Sequence, residues 1–334
     1  MNTNAQALLD IVDRFRGKRV AVWGDFILDA YLFGTTRRVS REAPVLILKY
    51  SSSEFSLGGA GNALQNLWAL GARPVPVGLL GADESGENIL DFLKARRIPT
   101  SGLIIRRGHQ TPVKTRILAG EENTRKQQIL RIDRESDAPL SSEFKRALAA
   151  RVIKAAAASE GLLISDYHYQ TVQPDIFHGL RPRLARMRIP LTADSRFRLL
   201  QFPGVTIATP NEPEVEAALA LELAGREERL LRAGRTILGR LGSPALLITR
   251  GSRGMALFEK GAKPWLVPVH GTTDIVDVTG AGDTVISVLT LALACGATFR
   301  QAALLANHAG SIVVMKKGTA ALTVEELKAS VTES

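Results

Sequence analysis

Residues Asp277-Val-Thr-Gly-Ala-Gly-Asp283 stand directly before a long apolar run, and their types suit the transfer of a phosphoryl group. A helix that begins there presents unpaired backbone N–H groups and the positive end of its dipole, and glycines let an anion approach closely. A carboxylate at the end of such a loop would only repel a phosphate if anion binding were its whole task. Asp283 makes sense as a general base that takes the proton of an attacking hydroxyl, while the amides of Gly280, Ala281 and Gly282 stabilise charge on the group in transfer. The plainer alternative is that Asp283 or Thr284 caps the helix.

A second stretch, Leu57-Gly-Gly-Ala-Gly-Asn-Ala-Leu-Gln-Asn-Leu-Trp-Ala-Leu-Gly-Ala72, opens a helix from a glycine cluster. It reads either as a tight turn with a capped helix or as backbone that approaches a polyhydroxyl ligand, with Asn62 donating and accepting hydrogen bonds. Asn211-Glu-Pro-Glu214 is open in the same way, because a capping residue followed by a first-turn glutamate is a common helix start.

These stretches need a scaffold. Apolar runs at Arg19–Trp23, Val75–Leu80, Gly161–Ser165, Pro190–Ala193, Val205–Ala208 and Ala245–Thr249 alternate with helical patterns at Asn62–Leu70, Gly86–Ala95, Ser142–Ala157, Glu212–Ala220 and Arg226–Leu241. Strands that alternate with helices predict an α/β fold with a doubly wound, mostly parallel sheet flanked by helices. Residues 31–57 and 103–134 break the rhythm with strand alternation and no helix, which predicts a small antiparallel β lid. Lys114, Arg116, Gln128 and Arg131 in the second lid segment are candidates for a sugar or its distal phosphate. A lid sheet has exposed edges, so pairing of two copies through it is expected. No internal repeat or linker-like segment divides the 334 residues, and one domain over 1–334 is expected.

Composition narrows the function classes. The N-terminal stretch carries a helical stripe of Leu8, Leu9, Ile11, Val12 and Phe15 rather than a secretory core, which predicts a cytoplasmic protein. The most apolar stretch, Val285–Ala297, is too short to span a bilayer and contains Ser287 and Thr290, so it predicts a buried helix and no membrane partner. Cys295 is the only cysteine, which excludes disulfide scaffolds and cysteine-rich metal sites. The net charge of +10 is scattered and lacks aromatic-spaced basic runs, so nucleic acid is not an expected partner. His109 lies in a turn without a visible metal partner.

At this point the chain resembles the ribokinase-like, or PfkB, carbohydrate kinases. GGAGNALQNLWALGARPVPVGLLG (58–81) is similar to the family's N-terminal signature and DVTGAGDT (277–284) to its C-terminal one, in the right order, and the resemblance runs from about residue 18 to about 328. It implies an ATP- and Mg²⁺-dependent phosphotransferase with an alcohol group as acceptor. Asp283 would be the base and 280–282 the anion hole, while Asp29, Gly58, Gly59 and Asn62 would hold sugar hydroxyls. Asn211 and Glu214 match an N-x-x-E motif that organises Mg²⁺ through water near the ATP phosphates. Thr249, Gly251, Gly254 and Thr279 would line the nucleotide site, Asn307 would lie near adenine, and Asp277 would stand beside a monovalent cation such as K⁺.

Within the family, GDFILDAYLFGTTRRVSREAPVLIL, TPVKTRILAGEENTRKQQILRIDRE and HAGSIVVMKKGTAALTVEEL resemble the D-glycero-D-manno-heptose 7-phosphate kinases. That branch phosphorylates O1 of the heptose 7-phosphate on the way to the ADP-heptose of lipopolysaccharide cores. No H-x-G-H motif of a nucleotidyltransferase occurs, so the kinase step alone is expected, with a separate nucleotidyltransferase downstream. Two stretches depart from the branch: Ser165-Asp-Tyr-His-Tyr-Gln170 stands where Ser-Asp-Tyr-Gly-Lys-Gly is usual, and Asp194-Ser-Arg196 where Asp-Pro-Lys is usual. Two phosphate-binding lysines are thereby missing, with Arg196 or Arg198 as substitutes and His168 and Tyr169 as open cases. Another sugar acceptor, or a non-catalytic binding protein on the same fold, is the alternative.

Overall fold

The computed structural model describes residues 3–121, 126–136, 139–271, 275–316 and 318–333. In chain order, its first elements are α1 (Thr3–Asp13), β1 (Arg19–Gly24), β2 (Phe26–Val39), β3 (Leu46–Gly59), α2 (Ala60–Ala69), β4 (Arg73–Gly81), α3 (Glu84–Ala95), β5 (Leu103–Arg106), β6 (Val113–Gly120) and β7 (Gln127–Arg134). There follow α4 (Ser142–Ala157), β8 (Gly161–Asp166), α5 (Pro174–Arg186), β9 (Leu191–Ser195), β10 (Ile207–Ala208), α6 (Glu212–Leu219) and α7 (Glu227–Leu241). The chain closes with β11 (Ala245–Thr249), β12 (Met255–Glu259), β13 (Trp265–Val267), α8 (Ala281–Ala294), α9 (Phe299–Val313) and α10 (Val324–Thr332).

A nine-stranded sheet in the order β13-β12-β11-β10-β9-β8-β1-β4-β5 forms the centre, parallel from β11 to β5 and closed at the other edge by antiparallel β12 and β13. Continuous apolar runs make such strands because both faces are covered. Val20 and Val22 of β1 point into one core, with side chains of α1, α2, α8, α9 and α10, whereas Ala21 and Trp23 point into the other, with α4, α5, α6 and α7. The helix α8 is buried from Asp283 to Ala292, as the apolar stretch predicted. Among the described residues no helix is long and apolar enough to cross a membrane. Cys295 is buried at the end of α8.

The small sheet has the order β3-β2-β6-β7. Two antiparallel hairpins, β2–β3 and β6–β7, are joined side by side through a parallel seam between β2 and β6. Its limits differ from those expected. Residues 103–106 pair with β4 as the edge of the large sheet, and the first hairpin starts at Phe26, directly after β1. The alternation LIIR is indistinguishable from lid sequence because an edge strand and a lid strand share the same period. Residues 122–125 of the expected second lid segment lie outside the described residues. The roots of β2 and β3 are buried, whereas β7 is exposed along its whole length.

Candidate active site

The loop before α8 is wound for close approach. Gly280 takes φ 78° at the helix start, and a Cβ there would lie 2.4 Å from the Asn62 amide nitrogen, so only glycine fits. Neither Asp283 nor Thr284 caps the helix, which overturns the plainer reading: no side chain caps it, and Thr284 instead donates its hydroxyl to the Gly280 carbonyl at 3.2 Å. Asp283 turns inward and is 2% exposed, where its Oδ2 accepts from Asn62 Nδ2 at 2.9 Å and its Oδ1 from the Tyr167 hydroxyl at 3.0 Å. Burial pushes its carboxyl up to about 7, against the two hydrogen bonds and the Lys114 ammonium and with the help of Asp29. A carboxylate that titrates near neutrality is suited to accept a proton. The Ala281 N–H donates to the Val278 carbonyl at 3.2 Å, and Gly280 and Gly282 lie on the wall of the cavity that holds Asp283.

Asp283 lies in a polar cavity of about 380 Å³ between the large sheet and the lid, walled also by Asp29, Gly59, Lys114, Arg116 and Arg131. The parallel seam explains the grouping: Asp29 is in register with Lys114 and Tyr31 with Arg116, so all four side chains share one face. Arg116 pairs with Asp29, and both are largely buried. Gly58 does not reach the cavity; it packs behind Asp29, where a Cβ would lie 2.3 Å from Asp29 Oδ2. Lys114 is 7% exposed and lies 5.0 Å from the Tyr167 ring and 5.6 Å from that of Tyr169. Burial lowers its pKa, while Asp29 acts to raise it. Arg131 holds Asp133 at 2.9 Å.

Two expected sugar ligands are elsewhere. Gln128 is exposed, opposite Leu118 and further toward the lid tip, outside the cavity wall. Asn62 has no exposed surface; its amide nitrogen serves Asp283 and the Gly280 carbonyl, and its oxygen accepts from Asn66 at 3.2 Å.

A second, more apolar cavity of about 330 Å³ is walled by Asn211, Thr249, Gly251, Gly254, Ala281, Gly282 and Asn307, with Met255, Val285 and Val314. Asn307 donates to the Pro268 carbonyl at 2.8 Å. Thr279 lines the polar cavity instead, on the far side of the loop. The two cavities share Asn211, Thr249, Val278 and Gly282, so they meet within the loop that leads into α8. Asn211 and Glu214 form a complete capping box at 2.8 and 2.9 Å, and Glu214 also faces the polar cavity. Burial raises the Glu214 carboxyl to about 7, against its bonds to Asn211 and the charge of Arg196. Among the described residues no three His, Cys, Asp or Glu side chains converge enough to hold a metal directly. Asp277 accepts from the N–H groups of Thr279 and Gly318, each at 2.9 Å; burial would raise its carboxyl, yet these bonds hold it below its ordinary value.

The loop after β8 was the part of the site least visible in the sequence. Buried Asp25 accepts the backbone N–H groups of Tyr167, Tyr169 and Thr171 at 2.8, 3.1 and 2.9 Å. Three alternate amides can converge on one carboxylate because His168 and Gln170 between them take φ 70° and 77°. They stand where the resemblance to the heptose kinases leads one to expect glycine, and here non-glycine residues take the left-handed region, which strains the backbone. Burial and Asp166 push Asp25 up to about 6 against these bonds. Of the two arginines that could replace lysines, Arg198 is occupied by Asp166 and the Val172 carbonyl, and Arg196 lines the polar cavity. Asp194, beside it on β9, also lines the cavity, and burial with Glu214 and Asp283 nearby raises its carboxyl well above the usual range. Tyr169 packs on Lys114 and His168 lies 6.1 Å from Phe197, neither on a cavity wall. His109 is buried in the turn between β5 and β6, away from both cavities.

A family model described as pfkB family carbohydrate kinase matches residues 18–326. Among curated relatives, the bifunctional protein HldE of Geotalea uraniireducens is 37% identical over 319 residues and that of Pelobacter propionicus 35% identical over 323. These matches take in 95% and 96% of this chain but 64% and 65% of the relatives, so the chain spans a little under two thirds of their length. Among solved structures, phosphofructokinase-2 from Escherichia coli in complex with potassium is similar with a TM-score of 0.75 at 17% identity, covering 95% of this chain and 99% of that one. Ribokinase from Arabidopsis thaliana complexed with ribose and ATP gives 0.71 at 20% identity, over 95% and 98%. Both likenesses are of fold.

Proposed function

We propose, for a chain that belongs to the pfkB family of carbohydrate kinases, that the polar cavity takes a sugar carrying its own phosphate and the apolar one takes ATP. The observation that carries this reading is the junction at Asn211, Thr249, Val278 and Gly282, with Asp283 on the acceptor side of it. A terminal phosphate reaching that junction meets the N-terminus of α8, and an acceptor hydroxyl beside it meets a carboxylate able to take its proton. As the acceptor oxygen bonds to phosphorus, the bond to ADP breaks and Asp283 holds the proton. Lys114, Arg116, Arg131 and Arg196 line the acceptor side, Arg116 paired with Asp29 and Arg131 with Asp133, and support a phosphate on the acceptor. Glu214, held by Asn211, would hold Mg²⁺ through water, and the ion would supply neutralisation of phosphate charge. K⁺ beside Asp277 belongs to the same reading.

The acceptor we infer is D-glycero-D-manno-heptose 7-phosphate, phosphorylated at O1 to the 1,7-bisphosphate in ADP-heptose synthesis. The stretches that resemble the heptose kinases and the relatives named HldE support it. A different sugar phosphate is the second reading, favoured by Tyr169 and Arg196 at the positions of the usual lysines. A cytoplasmic site and a separate nucleotidyltransferase acting on the product complete the proposal. Exposed Val39, Leu46, Tyr50, Phe55, Leu130 and Ile132 on the small sheet support a homodimer through the lid.

The test is ADP release with Mg·ATP across a panel of sugars and sugar phosphates, with the product position assigned by ³¹P NMR. The heptose 7-phosphate should give the highest kcat/KM and an anomeric phosphate. Turnover on another acceptor alone would discard the heptose, and no turnover on any would discard the kinase.

A further inference from the structure

Asp283 is held more tightly than a base needs to be if its only partner is the acceptor. A carboxylate oxygen has two lone pairs. On Asp283 one pair of Oδ2 is taken by Asn62 at 2.9 Å and one pair of Oδ1 by the Tyr167 hydroxyl at 3.0 Å. Donors from opposite sides fix the plane of the carboxylate and leave a single direction per oxygen for an incoming proton. Both donors are themselves fixed. The Asn62 amide cannot flip without loss, because its oxygen accepts from Asn66 Nδ2 while its nitrogen also serves the Gly280 carbonyl. Tyr167 is anchored through its N–H on Asp25 at 2.8 Å, and Lys114 lies 5.0 Å from its ring.

We propose that Tyr167 and Asn62 are positioning residues that hold the Asp283 carboxylate in the orientation from which it takes the acceptor's proton, a role that rests on the phosphoryl-transfer reading. Asn62 belongs here rather than with the sugar ligands because it has no exposed surface and is absent from the cavity wall. Tyr167 suits the task because burial, with the charges of Asp283, Asp194 and Glu214, holds its hydroxyl well above its ordinary pKa, so it remains a donor. The charged groups that face this arrangement are Asp29 from β2, Lys114 from β6, Asp194 from β9 and Glu214 from α6.

Tyr167→Phe removes one donor and keeps the ring against Lys114. Asn62→Asp keeps the shape and the acceptor for Asn66 but puts a second carboxyl against Asp283. In the free protein, ¹³Cγ-aspartate NMR, with the Asp283 signal assigned through Asp283→Asn, should show the Asp283 midpoint rise by about one pH unit in Tyr167→Phe, because a bond to the charged form is lost. In turnover, kcat at pH 7 should fall about tenfold with the sugar KM within about twofold of wild type, as for an interaction that serves the transition state. Asn62→Asp should move the acid limb of kcat in the same direction. A raised sugar KM with an unmoved NMR midpoint and acid limb would make these residues sugar ligands and overturn the proposal, as would two variants indistinguishable from wild type. If the midpoint moves yet wild type phosphorylates no sugar, the positioning stands and the kinase reading falls.

Discussion

The two walls of the polar cavity are built differently. On the wall formed by the large sheet and α8, Asp283 is buried with Asn62 behind it, and both oxygens of the base already have a donor. On the lid wall, Arg131 stands on a strand exposed from end to end, and only the root of the seam, with Asp29, Lys114 and Arg116, is buried. The difference teaches where chemistry and selection are kept apart. A proton acceptor needs a fixed position and a shifted pKa, which burial supplies; acceptor choice needs cations that can be exchanged without disturbing the core. Tyr169 and Arg196, at the positions of the usual lysines, follow β8 and β9 of the large sheet and so stand outside the lid wall.

The contrast can be broken or sharpened by experiment. Asp283→Asn should lower turnover about 10²–10⁴-fold while ATP binding, measured by calorimetry, stays unchanged; near-normal turnover would remove Asp283 as the base. Arg116→Ala leaves Asp29 buried and unpaired, so it should cost about 3 kcal/mol in urea unfolding and also raise the sugar KM. The exposed Gln128→Ala, on the same sheet, should change stability by less than about 0.5 kcal/mol and leave KM unmoved. A Gln128 variant with a large KM effect would mean that the lid closes further over the sugar than this structure shows.

The pH dependence of stability separates carboxylates raised by burial from those held low by hydrogen bonds. Asp25 at about 6, with Asp283 and Glu214 at about 7, sit above their unfolded values, so their contribution is fully present below the ordinary carboxylate range and is lost as pH rises through 6 to 7. Asp83, Asp175, Asp277 and Glu326 are held low, so their contribution is present above that range and is lost as pH falls through their folded values. Ligand-free protein should therefore be most stable between about pH 4 and 5 and weaken toward 7 in a series of urea unfolding curves. A modest effect is expected in the loop after β8. His168→Gly relieves a left-handed non-glycine residue and should stabilise by about 1 kcal/mol in a thermal scan; destabilisation would show that the His168 ring, beside Phe197, holds the loop.

Much of the fold was legible because buried parallel strands are continuous apolar runs and cannot be mistaken for lid alternation, as with β1, β8 and β11. The short edge strand β5 was not, because four residues of LIIR carry no record of which sheet they join. In the site, the loop from Gly280 to Asp283 announced itself through glycines and a carboxylate before an apolar helix. Asp194 and Tyr167 did not, since each is a single residue at the end of a strand and acquires its role from neighbours brought in by β2, α6 and α8. Asn62 was found in the right place with the wrong partner: spacing puts it at the start of α2, but only packing against α8 turns its amide to Asp283 rather than to the cavity. Gln128 shares the strand of Arg131 but lies opposite Leu118, further toward the lid tip and off the cavity wall, a placement along the hairpin that a sequence does not record.

The measurement that tests the central claim most directly compares kcat/KM for D-glycero-D-manno-heptose 7-phosphate with that for the same heptose without its phosphate, in wild type and in Arg196→Ala. Four cations around the acceptor predict a preference of about 100-fold or more for the phosphorylated sugar, reduced about tenfold by Arg196→Ala. Equal kcat/KM for the two acceptors would contradict it.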